Sequence, residues 1–414
     1  MKFVGDFHIH SRFARATSKD MNVVNLDTWA QIKGIKVMGT GDFTHPFWLK
    51  ELKEQLESAE QGLYKVKGKN SDTRFILTSE ISCIYSKGQK VRKIHLILFA
   101  PSFETVEKIN TQLSWVGNLR SDGRPIIGID AKEVVKIALS ASPDCMIIPA
   151  HAWTPWFSVF GSKSGFNSLE ECFDEYTKYI YAIETGLSSD PAMNWRLSGL
   201  DNIALISNSD SHSLPKIGRE ANVFDTEVSY QGIADALKTK DPLKFLYTVE
   251  FFPEEGKYHF DGHRLCNISL SPQESKKTNN MCPVCKRPLT IGVLNRVEEL
   301  ADRPEGFVPA NAIPFKSVIP LEEIIADVLG VGVGTKQSIQ EYEKLIKTFQ
   351  NEFAVLLNAS SQELKDATLP EIAQGILRVR EGKVKIEPGY DGEYGKIKIF
   401  LKGEKIATTQ KTLL

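Results

Sequence analysis

The chain has 414 residues, and its 51 lysines and arginines are balanced by 52 aspartates and glutamates for a formal charge of −1. That balance excludes a polycation, so nucleic-acid contact has to come from local basic patches. No apolar run approaches the roughly 18 residues of a membrane span and no apolar export segment opens the chain, which predicts a cytoplasmic protein of about two or three domains; six cysteines are too sparse for a disulfide scaffold.

In chain order, Phe3 and Val4 end a short buried strand, and Gly5-Asp-Phe-His-Ile-His10 follows. His8 and His10 are two apart on an extended chain, so both rings face one side and can grip one metal ion. A second apolar run, 35–39, ends in glycines and then Asp42 and His45. Gly39-Thr-Gly41 is too short for a phosphate loop and reads as a strand-end turn. The third run, 75–80, ends in Glu80. The fourth, 93–99, carries His95 inside the strand and is entered through a hairpin at 85–92. The fifth ends in His151, the sixth in Glu184, and the seventh in Asp210-Ser-His212. Helix-like stretches at 26–33, 48–60, 103–113, 132–140 and 169–178 separate most of these runs. Strand–helix alternation predicts an α/β fold with a largely parallel sheet, open or closed into a barrel, with chemistry at the C-terminal strand ends.

Of the eight histidines, six fall at or beside strands within the first 212 residues. With the strand-end carboxylates they are too many ligands for one ion. Two or three divalent ions held together suit phosphoester cleavage. Zinc, manganese or iron match such ligands; magnesium is a candidate with a poorer fit.

Further on, 230–238 reads as a linking helix and 245–252 as a strand. His263-Arg-Leu-Cys266 and Cys282-Pro-Val-Cys285 then form two knuckles with 15 residues between the inner cysteines. That spacing suits one structural zinc in a Cys3His site, with His259 as a rival fourth ligand. Arg264, Lys276, Lys277, Lys286, Arg287 and Arg296 surround it, which points to a nucleic-acid grip or a solvated charged face. The C-terminal part reads as helices at 321–329, 338–349, 352–357 and 369–381. The glycine-rich joint 330–336 is a phosphate-binding turn or a plain connection. The end, 389–414, reads as a hairpin or an added strand, and Gln410-Lys-Thr-Leu413 is similar to the start of a sliding-clamp peptide without its aromatic end.

Asp-x-His-x-His at 6–10, Gly-Asp-x-x-His at 41–45, Glu80, His95, His151 and Asp210-x-His212 resemble the polymerase and histidinol phosphatase (PHP) domain. With His151-Ala-Trp-Thr-Pro-Trp156 and the two knuckles, nearly the whole chain resembles the endonuclease Q family. The resemblance implies a distorted seven-stranded βα barrel (residues 1–225), a zinc-ribbon module (226–318) and a small helical domain with a polar tail (319–414). It implies metal ligation by His8, His10, Asp42, His45, Glu80, His95, His151, Asp210 and His212. Catalysis then centres on His8, His10, Glu80 and Asp210, with Glu80 bridging two ions and His45, His151 and His212 completing a third site. Two departures stand out. The family's adjacent Asp-His pair is here split between Asp42 and His45, and Glu184 has no slot in the pattern.

The implied activity is a nick on the 5′ side of uracil, hypoxanthine, xanthine or an abasic site in cytoplasmic, nucleoid-associated DNA, with the damaged base turned out of the stack. Trp153 and Trp156 follow His151 and line the mouth of the site. Arg196, Lys216 and Arg219 lie in later loops and are candidate DNA contacts. The rival readings are a PHP-type small-molecule phosphatase and a DNA-binding accessory with an inactive barrel. Damaged DNA is the expected partner, and a sliding clamp enters only through the four-residue tail string.

Overall fold

The computed structural model describes residues 1–400 and Glu404, so the Gln410-Lys-Thr-Leu413 string lies outside the described residues. Strands β1 (Lys2–Asp6), β2 (Val37–Gly39) and β3 (Arg74–Lys87) run side by side and parallel. Helix α1 (Val23–Lys33) carries the chain from β1 to β2. The Asn22 side chain caps it by accepting from the Asn25 N–H, and Gly34 at φ 87° closes it on the Ala30 and Gln31 carbonyls. Gly34 is also needed for space, since a Cβ there would lie 2.4 Å from Asn351 Oδ1.

The parallel order then breaks. Gly88 and Gln89, both at φ 61°, make a two-residue turn into β4 (Lys90–Ala100), which pairs antiparallel with β3 along its whole length. A two-residue turn with both central residues at positive φ can only join antiparallel strands. The third strand therefore does not end at Glu80, as the sequence reading has it, but continues to Lys87, and the expected largely parallel sheet is a mixed one. Strand β5 (Met146–Pro149) is antiparallel to β4, β6 (Ala182–Glu184) and β7 (Ala204–Ile206) are parallel to each other, β8 (Ala221–Asp225) lies antiparallel beside β1, and β9 (Phe245–Glu250) lies antiparallel on the far side of β8. Backbone bonds from Ala152 N to Glu184 O and from His10 N to Ser211 O tie the loops after β1, β5, β6 and β7 together.

Each of the nine strands contributes to one hydrophobic cluster, through Phe3, Val37, Ile76, Ile97, Ile148, Ala182, Ile206, Phe224 and Phe245 among others. Phe7 folds under the strands against Phe99 and Phe224, so the histidines on either side of Ile9 point away from this cluster, toward the strand ends. Helices α2 (Pro46–Gln55), α3 (Phe103–Ser114) and α4 (Ala131–Ala141) bury one face each in a second, outer layer. Two expected helices are shorter than read: α2 stops before the strand Leu56–Ser58, and Leu169–Phe173 breaks at Asp174, whose φ is 49°.

The cysteine-bearing segment has little core of its own. It docks through α5 (Val293–Leu300), whose Val293 and Val297 join the outer layer. Arginines fix it there: Arg196 pairs with Glu298 at 2.8 Å, Arg303 with Asp201 at 2.5 Å, and Arg296 donates to the Phe160 and Phe166 carbonyls at 3.0 Å. Arg196, read from sequence as a DNA contact, is thus a buried docking residue.

Helices α6 (Leu321–Leu329), α7 (Lys336–Phe349) and α8 (Pro370–Arg380) enclose a separate hydrophobic cluster that also takes in Phe252 and Ile399. A short helix, Ser361–Ala367, was not legible in the sequence; the stretch read as helix at 352–357 is a π-helical turn, Ala354–Asn358. Its carbonyls at Val355 and Leu356, with that of Ala359, accept from Arg380. The tail alternation forms a strand pair, Lys385–Glu387 with Lys396–Lys398. Among the described residues no helix is long and apolar enough to cross a membrane.

One buried ion pair joins this part to α1. Lys33 Nζ lies 2.6 Å from Glu352 Oε2, both residues are buried, and Glu352 also accepts from Leu321 N and Tyr342 OH. Removing one member of such a pair strands the other charge, at a cost of about 3–5 kcal/mol. Lys33→Met is expected to lower stability by that amount in chemical denaturation, and Lys33→Met with Glu352→Met to recover much of it; a silent single variant would contradict the anchoring role.

Candidate metal centre

The β3–β4 hairpin supplies the centre of the site. Ser82 is opposite His95, so Glu80, Ser82 and His95 share one face of the ribbon. Glu80 Oε1 lies 2.6 Å from His95 Nδ1 and 3.1 Å from His151 Nε2, while Oε2 lies 3.2 Å from His10 Nε2 and 3.5 Å from His8 Nε2. Asp210 Oδ1 completes the second set, 3.1 Å from His10 Nε2 and 3.7 Å from His8 Nε2. Two ligand groups result, His8–His10–Glu80–Asp210 and Glu80–His95–His151, each with its ligand atoms within 4.8 Å of one another. Glu80 belongs to both and turns one oxygen to each.

These atoms converge without satisfying each other. His8 Nε2, His10 Nε2 and Asp210 Oδ1 are buried and, despite their close approach, none has a hydrogen-bond partner. A buried polar atom left unpaired costs about 1–3 kcal/mol, so three aimed at one point fit a shared cation. The opposite nitrogen of each ring is engaged. His8 Nδ1 is 3.0 Å from Glu184 Oε1, His10 Nδ1 is 3.0 Å from Asp42 Oδ1, His95 Nε2 is 3.1 Å from Ser82 Oγ, and His151 Nδ1 is 3.3 Å from Thr154 Oγ1. Such outer partners fix ring orientation and tautomer. Asp6 instead holds loops together, accepting from Ser209 N and Gly218 N.

Some expected ligands lie elsewhere. Asp42 spends one oxygen on His10 and the other on Ser11 N and Oγ, so it orients a ligand rather than joining either group. His45 occupies the position before α2 without a side-chain capping bond, and its ring stacks on Phe13 at 4.6 Å, outside both groups. His212 lies beside the first group, its ring 4.5 Å from that of His10, but its Nδ1 faces the Asp210 carbonyl. His151 sits with His95, so the third set of His45, His151 and His212 is not assembled. Glu184, unplaced by the sequence pattern, is fully buried and accepts from the His151 and Asn208 N–H groups as well as facing His8.

Charge follows the same plan. Burial opposes a proton on His8, but Glu184, Glu80 and Asp210 outweigh it and raise its pKa well above the usual value. His10 is raised likewise, against burial, by Asp42, Asp210 and Glu80. His95 is pushed down to about 4, chiefly by burial. Glu80 and Asp210 are held below the ordinary carboxylate range by the surrounding histidines, despite burial. Arg124, missed in the sequence, puts Nη1 3.0 Å from Glu80 Oε2. No motif announces it, because it comes from a loop between α3 and α4 rather than from a strand end.

The proposed DNA contacts are mostly engaged. Trp153 is 1% exposed, donates to Asn194 Oδ1 and packs on Phe160. Lys216 pairs with Glu322 and Glu323, and Arg219 donates to the Ser209 and Asp210 carbonyls, which holds the loop bearing Asp210. Trp156 alone of the five remains open, 39% exposed and edge-on to Tyr258. Phe157 packs on the His95 ring at 4.7 Å.

His263, Cys266, Cys282 and Cys285 form a third group within 4.8 Å, with His263 Nδ1 3.5 Å from Cys285 Sγ. Three soft thiol ligands and one imidazole fit a structural zinc ribbon. His259 stacks on Phe260 outside the group, and burial lowers its pKa to about 4.

Comparison with known proteins gives a consistent result. Residues 320–383 match the family model of the MJ0043 C-terminal domain. An uncharacterized protein of Methanocaldococcus jannaschii, MJ0043, is 35% identical over 257 residues, covering 60% of this chain; the match spans only 31% of that longer protein. The crystal structure of the lesion-specific endonuclease PfuEndoQ from Pyrococcus furiosus is similar with a TM-score of 0.85 and 30% identity, covering 96% of this chain and 95% of that one. Endonuclease Q in complex with a 27-mer duplex substrate carrying an abasic lesion at the active site gives a TM-score of 0.84 and 30% identity, covering 97% of each chain.

The raised pKa values of His8 and His10 predict that both rings hold protons at neutral pH until a cation displaces them. Cation loading should therefore release about one to two protons and tighten as pH rises. Calorimetric manganese titrations in two buffers of different ionisation enthalpy check this; equal heats in both would contradict it.

Proposed function

The chain belongs to the endonuclease Q family of DNA-cleaving enzymes, and we propose that it hydrolyses the phosphodiester bond on the 5′ side of a damaged base in DNA. The observation that carries the reading is the shared carboxylate of Glu80, which joins two adjacent cation-ligand groups. His8, His10, Glu80 and Asp210 would hold a divalent cation on one side and Glu80, His95 and His151 a second on the other, and such ions would supply Lewis acidity for phosphodiester hydrolysis. Zinc and manganese suit these ligands, with magnesium a poorer match.

The rest is done by the chain. Glu184, Asp42, Ser82 and Thr154 hold the four rings so that one nitrogen of each faces inward. Arg219 holds the loop of Asp210. Trp156 and Phe157 on one rim, and Phe13 and Phe47 around His45 on the other, offer flat walls to a base taken out of the stack.

We read the ring of strands as the family's distorted seven-stranded barrel, with unit boundaries near residues 225 and 318. The zinc-ribbon module and the helical unit then flank the barrel and extend the DNA track. The substrate class is uracil, hypoxanthine, xanthine or an abasic site, met in cytoplasmic DNA. The complex of a family member with an abasic duplex supports this class.

End-labelled duplexes with one uracil, hypoxanthine or abasic site, incubated with manganese or magnesium, are expected to yield a single product ending just 5′ of the lesion on a denaturing gel. Equal cleavage of an undamaged duplex would contradict lesion recognition. Glu184→Gln, which weakens the hold on His8, should slow nicking by about 10–100-fold. Asp210→Ala should abolish nicking while retaining duplex binding in a gel-shift assay, and a nicking Asp210→Ala protein would overturn the assignment.

A further inference from the structure

Arg124 is the one lysine or arginine, among the described residues, that forms an ion pair with an acid of either ligand group. It is aimed by a loop fastened on three sides. Asp122 Oδ1 accepts from both Arg15 N and Arg124 N, Gly123 N donates to Phe13 O, and Pro125 O accepts from Ser82 N in β3. At Gly123 a Cβ would lie 2.4 Å from Asp42 Oδ2, so only glycine lets the loop come this close. The guanidinium is thereby held at the mouth of the site. Its side chain is 28% exposed, like those of Asp210 at 27% and His212 at 32%, whereas His8, His10 and Glu80 form a floor at 1% or less.

Its present partner is over-committed. Glu80 Oε2, which accepts from Arg124 Nη1, is the same oxygen that faces His8 and His10, and Oε1 faces His95 and His151. Cations in the two groups would take both oxygens. Only Nη1 of Arg124 makes a side-chain hydrogen bond among the described residues, and neither Nε nor Nη2 is among the buried unpaired atoms. A planar fork with free N–H groups, directed at a site that concentrates positive charge, has one fitting partner: an anion entering from solvent. Guanidinium matches a phosphate's oxygens in two-point geometry.

We propose that Arg124 is a phosphate-binding group of the cleavage site, which engages a non-bridging oxygen of the scissile phosphodiester once cations have claimed Glu80. The inference rests on the phosphodiesterase reading of the site. The charge on those oxygens grows during hydrolysis, so the contact strengthens toward the transition state. The alternative is a positioning role, in which Arg124 merely holds Glu80 for the cations. The two differ in sign: a guanidinium that competes for Glu80 weakens cation binding, whereas a guanidinium that presents Glu80 strengthens it.

Arg124→Ala and Arg124→Lys separate them. Manganese affinity by calorimetry should be unchanged or tighter in Arg124→Ala. Inorganic phosphate titrated into the manganese-loaded protein should bind about tenfold more weakly, and kcat for bis-p-nitrophenyl phosphate should fall by about 10²–10³-fold, as for loss of one transition-state donor. Arg124→Lys should recover part of both losses. Manganese affinity falling in step with activity would overturn the proposal in favour of positioning, and phosphate affinity unchanged in Arg124→Ala would overturn it outright. Duplex specificity is a separate readout: a wild-type protein that binds phosphate and cleaves the small diester, but ignores lesions, would contradict the repair reading and leave the role of Arg124 standing.

Discussion

The two oxygens of Glu80 are the constraint on which the site depends. A fully buried carboxylate is tolerated only when charged or polar partners surround it, and here four imidazoles and one guanidinium do so. They come from the end of β1, from β4, from the loop after β5 and from the loop between α3 and α4. A single side chain therefore gathers segments separated by more than a hundred residues. This works because β3 runs on past Glu80 into a hairpin, which sets His95 beside it rather than at a distant strand end.

Around that centre, the protein uses polar residues to make rigid what the metal ligands leave soft. Glu184, Asp42, Ser82 and Thr154 each engage the outer nitrogen of a ring. Backbone strain accompanies this: Asp42, His151 and Asp210 adopt φ of 48°, 30° and 45°, conformations that side-chain-bearing residues avoid. Such strain persists only where the surroundings over-determine it, and the buried bonds of Asp6, Asp42 and Glu184 supply that. The peripheral units are fastened by the same means, through Arg296 on the loop after His151 and Lys33 with Glu352 beneath α1.

The sequence made parts of this legible and hid others, for physical reasons. His8 and His10 share a face because strand period is two, and that needs no tertiary knowledge. The knuckle spacing selected His263 over His259, and the cluster contains His263. The family resemblance extends over nearly the whole chain, and the structural match covers 96% of it. Spacing could not tell ligand from orienter: Asp42 and Glu184 have the chemistry of ligands and hold rings instead. Nor could it show that Lys216 and Arg196 are satisfied by carboxylates about a hundred residues along the chain, or Arg219 by the carbonyls of its own loop, since a basic side chain in a loop looks the same whether it meets solvent or a partner. Arg124 was invisible for the converse reason, its role arising only from where the 118–125 loop is fastened.

The carboxylate of Glu80 is shared by two cation-ligand groups. Manganese added to the protein and followed by electron paramagnetic resonance tests it directly, because two ions bridged by a carboxylate are spin-coupled and isolated ions are not. A coupled-pair spectrum that Glu80→Gln abolishes is the expected result. Only uncoupled manganese in the wild-type protein, or a coupled spectrum that survives Glu80→Gln, would contradict it.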